Sequence, residues 1–379
     1  MSNITRKKIA ILTLPLGHNY GGIMQNYALQ KVLVDLNHEP LTIDRRPNPA
    51  HIPAFRKCKI FIKSLIGLDE RGSTWKLRRE KALINNKIFI KNHIRKSKPI
   101  FTTKELKYFA LKNNFDAYIV GSDQVWRPKY APDIYNFYLD FLPQGNTTKI
   151  AYGASFGTDE WEYTSEQTRR VAELIKSFKT VSVREQSTVN LTQKYLLVDQ
   201  VNFVLDPTLL LSADDYIQTF QLKTKQKGLY SYMLDGGKEK QEIIDYCAEK
   251  LGLESYNSQP RKDIGSLNFK EDLADYYMPP VEQWIEGFKQ AKFVLTDSFH
   301  GLVFAIIFNK PFIVLGNKKR GEARFRSLLE VLNLTDRLIS SMDDLSEDLL
   351  QQKINYHEVN MKLTVLKHYS INMLKRSLC

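Results

Sequence analysis

Short apolar runs alternate with amphipathic stretches along most of the chain. Runs at 8–14, 40–44, 115–121, 149–155, 180–184 and 201–205 read as strands, and the stretches at 23–36, 76–95, 103–112, 165–178 and 186–196 read as the helices between them. That alternation predicts a parallel sheet covered by helices. The polar segment QLKTKQKG (221–228) then interrupts the pattern, which restarts with a strand at 229–234 and a helix at 238–251. Helices at 281–290 and 302–308 and strands at 292–296 and 311–315 complete the second unit, and the tail after Ser341 reads as helical and polar. The expected architecture is α/β: two Rossmann-like domains (1–222 and 223–340) facing a central cleft, with a helical tail (341–379) crossing back to the first.

Composition agrees with that size. A chain of 379 residues, 43% of them hydrophobic, can bury two cores. Cys58, Cys247 and Cys379 lie far apart and form no CxxC pair, which argues against a disulfide framework or a cysteine-ligated zinc and fits a reducing, cytoplasmic setting. Arg6-Lys7-Lys8 before IAILTLPLG superficially resembles a signal peptide, but the apolar stretch is short and runs straight into a glycine loop, so it reads as the first strand.

The net charge of +13 is local. Residues 51–100 hold 14 Lys and Arg against three acids, within a predicted helical insertion at 51–112 that also carries Ile60-Phe61-Ile62, Leu65-Ile66 and Trp75. Two readings stay open: a solvated helical pair packing its apolar stripe on the domain, or a peripheral element resting on an anionic membrane surface. Nucleic acid is not expected, because no recognition motif accompanies the charge.

Candidate chemistry collects where strands end, the edge at which open parallel sheets bind ligands. The richest stretch is FVLTDSFHGLVFAIIFNKPFIVL (293–315). Strand, tight turn and helix in that order put Asp297 or Ser298 at a helix N-cap and His300 in the first turn. Such a terminus suits a phosphate or carboxylate, and a histidine beside it is a candidate proton carrier. On the first domain, Asp123 and Gln124 can bond adjacent hydroxyls and Trp126 offers a stacking face, so the VGSDQVW turn predicts a sugar site, with Asn19 and the backbone of Gly21 and Gly22 adding contacts. GxGxxG, GxxxxGK[ST], HxH, HExxH and DxD are all missing, so no dinucleotide, P-loop nucleotide or metal is expected.

With NYGGIMQNYALQ (19–30), VGSDQVW (120–126), AYGASFG (151–157), SVRE (182–185), LDPTLLL (205–211), TDSFHGLVFAIIFNKPF (296–312) and RFRSLLEVLNLTDRL (324–338) in this order, the chain resembles the polysaccharide pyruvyl transferase family. The resemblance implies a fold similar to the GT-B glycosyltransferases. It also implies transfer of pyruvate from phosphoenolpyruvate onto two hydroxyls of a sugar, or of a lipid-linked oligosaccharide, to give a cyclic ketal on a bacterial surface glycan. No cofactor beyond this donor is implied. His300 matches the family's catalytic histidine. Phosphoenolpyruvate would be met by the helix turn at Ser298 and Gly301, by Arg184, and by Arg324, Arg326, Lys319 or Arg320 from the following loop. Several family members carry arginine where this chain has Ser298, so a cation must come from elsewhere. Two other readings compete: a GT-B enzyme using a nucleotide sugar, and a non-catalytic glycan-binding or membrane scaffold protein. The nucleotide reading needs a ribose-binding carboxylate, and Glu254, Asp263, Glu271 and Asp272 show no clear candidate.

Overall fold

The computed structural model describes residues 5–48, 75–143, 145, 147–267, 271–316 and 321–379. Two parallel sheets organise the chain. The first has the order β2-β1-β3-β4-β5-β6, with β1 Lys8–Leu12, β2 Glu39–Thr42, β3 Ala117–Val120, β4 Thr148–Ala154, β5 Thr180–Val183 and β6 Val201–Phe203. The second has the order β11-β10-β9-β7-β8, with β7 Leu229–Tyr232, β8 Ser255–Tyr256, β9 Phe293–Thr296, β10 Phe312–Leu315 and β11 Leu338–Ile339. Every recorded pairing is parallel. Strands β1, β3, β7, β9 and β10 are buried along nearly their whole length, as covered parallel strands must be.

Local chemistry explains the helix boundaries. Helices Thr103–Asn113, Ser165–Ile175 and Ala213–Phe220 each begin with a capping box, from Thr102 with Glu105, Thr164 with Gln167, and Ser212 with Asp215. The stretch expected as one helix over 76–95 is two, Trp75–Ala82 and Ile84–His93. The break has a cause in the other sheet's domain: the Ala82 carbonyl accepts from the Met278 N–H at 2.9 Å, withdrawing it from the helical ladder. Asn85 Nδ2 also donates to the Met278 carbonyl, and Tyr20 Oη donates to that of Pro279. The helical pair thus ties the two halves together. Residues 49–74, including Ile60-Phe61-Ile62 and Leu65-Ile66, lie outside the described residues.

One apolar cluster runs through both halves. It joins Ile23 and Leu33 of helix Tyr20–Asp35 to Trp284 and Phe288 of helix Val281–Gln290 and Phe304 of helix Phe299–Ile307; Tyr20 stacks on Trp284 with centroids 5.2 Å apart. Separate clusters cover the outer face of each sheet. The C-terminal helix Tyr356–Leu378 buries Leu374 and Leu378 in the shared core. Ser370 Oγ of that helix accepts from Leu205 N, and Ser377 Oγ donates to Thr180 Oγ1, so the helix returns to the first sheet.

Candidate active site

Between the two sheets, where the strand ends of one face those of the other, lies a cleft of about 320 Å³. Strand β9 is followed by Asp297, then Ser298, then helix Phe299–Ile307. Ser298 is the N-cap, its Oγ accepting from Gly301 N at 3.3 Å. The N–H groups of Phe299 and His300 remain without acceptors among the described residues, so the positive end of the helix opens toward the cleft. Asp297 also lines the cleft. Its buried carboxylate accepts from the N–H groups of Leu234 and Asp235 and from Lys240, locking the loop after β7 to this turn.

His300 is 6% exposed and lines the cleft. Its Nε2 has no hydrogen-bond partner among the described residues and lies 3.8 Å from Asp206 Oδ2. That is longer than a hydrogen bond, and it is an ion pair only when the ring is protonated. Its other ring nitrogen faces helix Tyr20–Asp35, where a methyl group on Gly21 would fall 2.0 Å from Nδ1 and 2.3 Å from Cγ. The imidazole therefore occupies the space a side chain at position 21 would need. Gly21 was expected to lend its backbone to a sugar; instead it is buried beneath His300. Gly301 answers a similar constraint, because a Cβ there would meet Thr296 Oγ1 at 2.2 Å. Its N–H is taken by the cap, so it contributes room for packing rather than an anion contact.

Beneath His300 sits a buried charge cluster. Arg184, fully buried at the end of β5, donates from Nη2 to Asp123 Oδ1 (2.8 Å) and from Nη1 to Asp206 Oδ2 (2.6 Å). Asp206 Oδ1 accepts from Thr208 N and Oγ1, and Ser122 Oγ donates to Oδ2 at 3.1 Å. Burial alone would raise the Asp206 carboxyl, but His300 and Arg184 outweigh it and hold it far below the usual carboxylate range. Burial likewise opposes the Arg184 charge, and Asp123 and Asp206 more than compensate. Arg184 was expected to meet the donor. It does not line the cleft; its guanidinium is bonded to the Asp123 and Asp206 carboxylates.

Arg324 is the cation that does line the cleft. It is 6% exposed, and burial first, then the neighbouring Arg184, push it down to about 10. Phe299 separates the two guanidinium groups, its ring centroid 4.9 Å from Arg184 Cζ and 5.7 Å from Arg324 Cζ. Arg326, expected beside it, points elsewhere: it is exposed and paired with Glu322 at 3.3 Å. Lys319 and Arg320 lie outside the described residues.

On the opposite wall, Asn19, Gly22, Asp123 and Gln124 reach the cleft. Asn19 also caps helix Tyr20–Asp35 through Gly22 N, at 3.2 Å. Asp123 adopts φ +75°, which turns the chain at the end of β3. Trp126 overturns an expectation: it is fully buried, stacked on Tyr138 at 5.3 Å, with its indole N–H on the Phe137 carbonyl, and so presents no face to a sugar. Asp206 was the residue missed as a functional group. Its motif LDPTLLL carries part of the family resemblance, but nothing local in LDPT announces that the carboxylate faces a histidine 94 positions later.

The carboxylates that a nucleotide ribose would need are engaged elsewhere. Asp263 and Asp272 cap short 3-10 turns, Glu271 pairs with Lys262 at 3.2 Å, and none of them reaches the cleft. No group of three His, Cys, Asp or Glu residues able to hold a metal occurs among the described residues. Among those residues, too, no helix is long and apolar enough to cross a membrane.

The sequence profile of the polysaccharide pyruvyl transferase family matches residues 19–319. No curated protein matches the chain. Among solved structures, UGT89C1 from Arabidopsis thaliana is similar at 8% identity and a TM-score of 0.54, over 99% of this chain and 100% of that one. The UDP-N-acetylglucosamine 2-epimerase from Rickettsia bellii is similar at 12% identity and a TM-score of 0.50, over 98% and 96% of the two chains. At these identities the likeness concerns the fold, a GT-B-like pair of Rossmann-like domains around a cleft, as the sequence predicted.

Proposed function

Because the chain belongs to the polysaccharide pyruvyl transferase family, we propose that its inter-domain cleft transfers pyruvate from phosphoenolpyruvate to two hydroxyls of a sugar, forming a cyclic ketal. The observation that carries this reading is the position of His300 between three elements: a helix N-terminus, the buried Arg324, and the Asp206 carboxylate.

Phosphoenolpyruvate is a small multiply charged anion with an electron-rich methylene carbon. Its phosphate and carboxylate would be met by Arg324, by the N–H groups of Phe299 and His300, and by the Ser298 hydroxyl. Protonation of the methylene carbon gives an oxocarbenium-like C2, to which one sugar hydroxyl adds with loss of its proton. The C2–O bond to phosphorus then breaks, inorganic phosphate departs, and the second hydroxyl closes the ketal. Of the two hydroxyl protons released, one balances the new methyl group and the other leaves with phosphate. His300 carries a proton in this sequence, with the Asp206 carboxylate 3.8 Å from its Nε2. The engagement of Asp263, Glu271 and Asp272 away from the cleft weighs against the nucleotide-sugar alternative.

Calorimetric titration tests the reading. Phosphoenolpyruvate should bind the wild-type chain, and phosphate release should require both a sugar acceptor and His300. Binding of a uridine or guanosine diphosphate sugar with no response to phosphoenolpyruvate would replace this reading by the glycosyltransferase one; binding of neither would favour the scaffold.

We also propose that the helical pair rests on an anionic membrane. Leu77, Ile84 and Ile88 are 55%, 44% and 50% exposed, and Lys81, Lys87 and Lys91 are exposed beside them. Its inner residues Ala82, Leu83 and Phe89 join the shared core, so the outer face is presented on a fixed support.

A further inference from the structure

With Trp126 sealed in the core, one aromatic ring still faces the cleft broadly. Tyr130 lines it and is 38% exposed, whereas Phe299, also lining it, is 4% exposed. Its ring is mounted rather than loose. Arg127 lies over it, Cζ 5.1 Å from the centroid, and Tyr130 N donates to the Arg127 carbonyl at 3.0 Å. Arg127 is itself fixed by two hydrogen bonds to Glu162, at 2.9 and 2.7 Å, and by a third to Gln124 Oε1, at 3.3 Å. That third bond orients the Gln124 carboxamide, whose Nε2 has no acceptor among the described residues. The Asp123 carboxylate stands on the same wall.

A flat amphipathic ring on a rigid support, with an amide donor and a carboxylate acceptor alongside, is complementary to one kind of small molecule. A pyranose presents C–H bonds on a face and hydroxyls around its rim. We infer that Tyr130 is the stacking platform of the acceptor sugar, with Gln124 and Asp123 reading the rim hydroxyls. Arg127 acts as a positioning residue for both. This rests on the sugar-acceptor reading above and assigns the subsite within it.

Saturation-transfer NMR of the full chain with methyl galactoside, methyl glucoside and methyl mannoside, run beside calorimetry with phosphoenolpyruvate, tests the assignment. Wild type should bind at least one glycoside. Tyr130→Ala should weaken that binding by about tenfold or more, Tyr130→Phe should retain it, and the phosphoenolpyruvate affinity should stay the same in both. Glycoside binding unchanged in Tyr130→Ala, or no glycoside bound by wild type, overturns the inference while leaving donor binding intact. Loss of the underlying reading looks different: wild type then fails to bind phosphoenolpyruvate at all.

Discussion

His300 Nε2 stands 3.8 Å from Asp206 Oδ2, an imidazole from the second sheet's domain held against a carboxylate from the end of the first sheet. The pair exists only when the two domains meet, so the proton carrier is completed by the fold as a whole. His300→Ala should lower the transfer rate by about 100- to 10,000-fold, the usual cost of removing a general acid or base. Phosphate release with acceptor present is the measurement, and a loss smaller than tenfold would remove His300 from the chemistry.

Asp206 leaves a separate trace in stability. Its carboxyl is held below the roughly 3.9 of an unfolded aspartate. The folded state therefore binds the proton less readily. The Asp206 contribution to stability is fully present above about pH 4 and is lost as the pH falls below that toward the folded value. Urea midpoints should drop between about pH 5 and 3 in wild type and drop less in Asp206→Asn. Equal slopes in the two proteins would mean that other carboxylates dominate the acid limb.

Gly21 makes a sharper test of how the imidazole is placed. A methyl group there would overlap the ring, so Gly21→Ala must push His300 off its position or shift the helix. Overpacking of this kind costs about 1–3 kcal/mol. Gly21→Ala should be nearly inactive and less stable, and removing the ring as well should restore part of that stability in Gly21→Ala/His300→Ala, where the Cβ at position 300 still lies 2.8 Å from the new methyl group. A double-mutant cycle by chemical denaturation measures that coupling; additive effects would show that the two residues do not compete for space.

The two arginines around Phe299 should fail in opposite ways. Removing Arg184 strands Asp123 and Asp206 as buried carboxylates, so Arg184→Ala should cost about 3–5 kcal/mol in stability. Lysine cannot span both partners as the planar fork does, and Arg184→Lys should recover little. Arg324→Met removes a cation that burial already disfavours. It should weaken phosphoenolpyruvate about 10- to 100-fold, the range of a lost charge-assisted contact. Parallel denaturation and calorimetry separate the two outcomes, and a phosphoenolpyruvate affinity unchanged in Arg324→Met would contradict the assignment.

These contrasts also show what a sequence can reveal. Strands β1 to β7, β9 and β10 were visible as short apolar runs between amphipathic stretches. Strands β8 and β11, two residues each, are too short to carry a period. Helix Ala323–Leu332 was passed over although its buried residues recur at helical spacing. At the site, residue types were legible and partners were not. Gly21 and Gly22 looked like loop, yet they open helix Tyr20–Asp35, because the reason for the first glycine is a ring 279 positions away. Arg184 and Arg324 are both arginines, and only the folded structure shows that Arg184 lies beneath the cleft on Asp123 and Asp206 while Arg324 lines it. Trp126 has the chemistry of a sugar platform but is consumed by the core, leaving the plainer Tyr130 exposed.

The basic helical pair yields the last prediction. Leu77, Ile84 and Ile88 expose apolar side chains among lysines on a face that the domain core does not cover. Buried apolar area and attraction to anionic lipid act together at such a face, and salt weakens only the second. The intact protein should sediment with vesicles containing phosphatidylserine, bind less to neutral vesicles, and be released as ionic strength rises and the Debye length falls below about 10 Å. Ile84→Glu/Ile88→Glu should abolish sedimentation without altering phosphoenolpyruvate affinity, since neither residue touches the cleft. Binding that ignores lipid charge, or that survives both substitutions, would leave the face as an ordinary solvated surface and place the acceptor's delivery elsewhere.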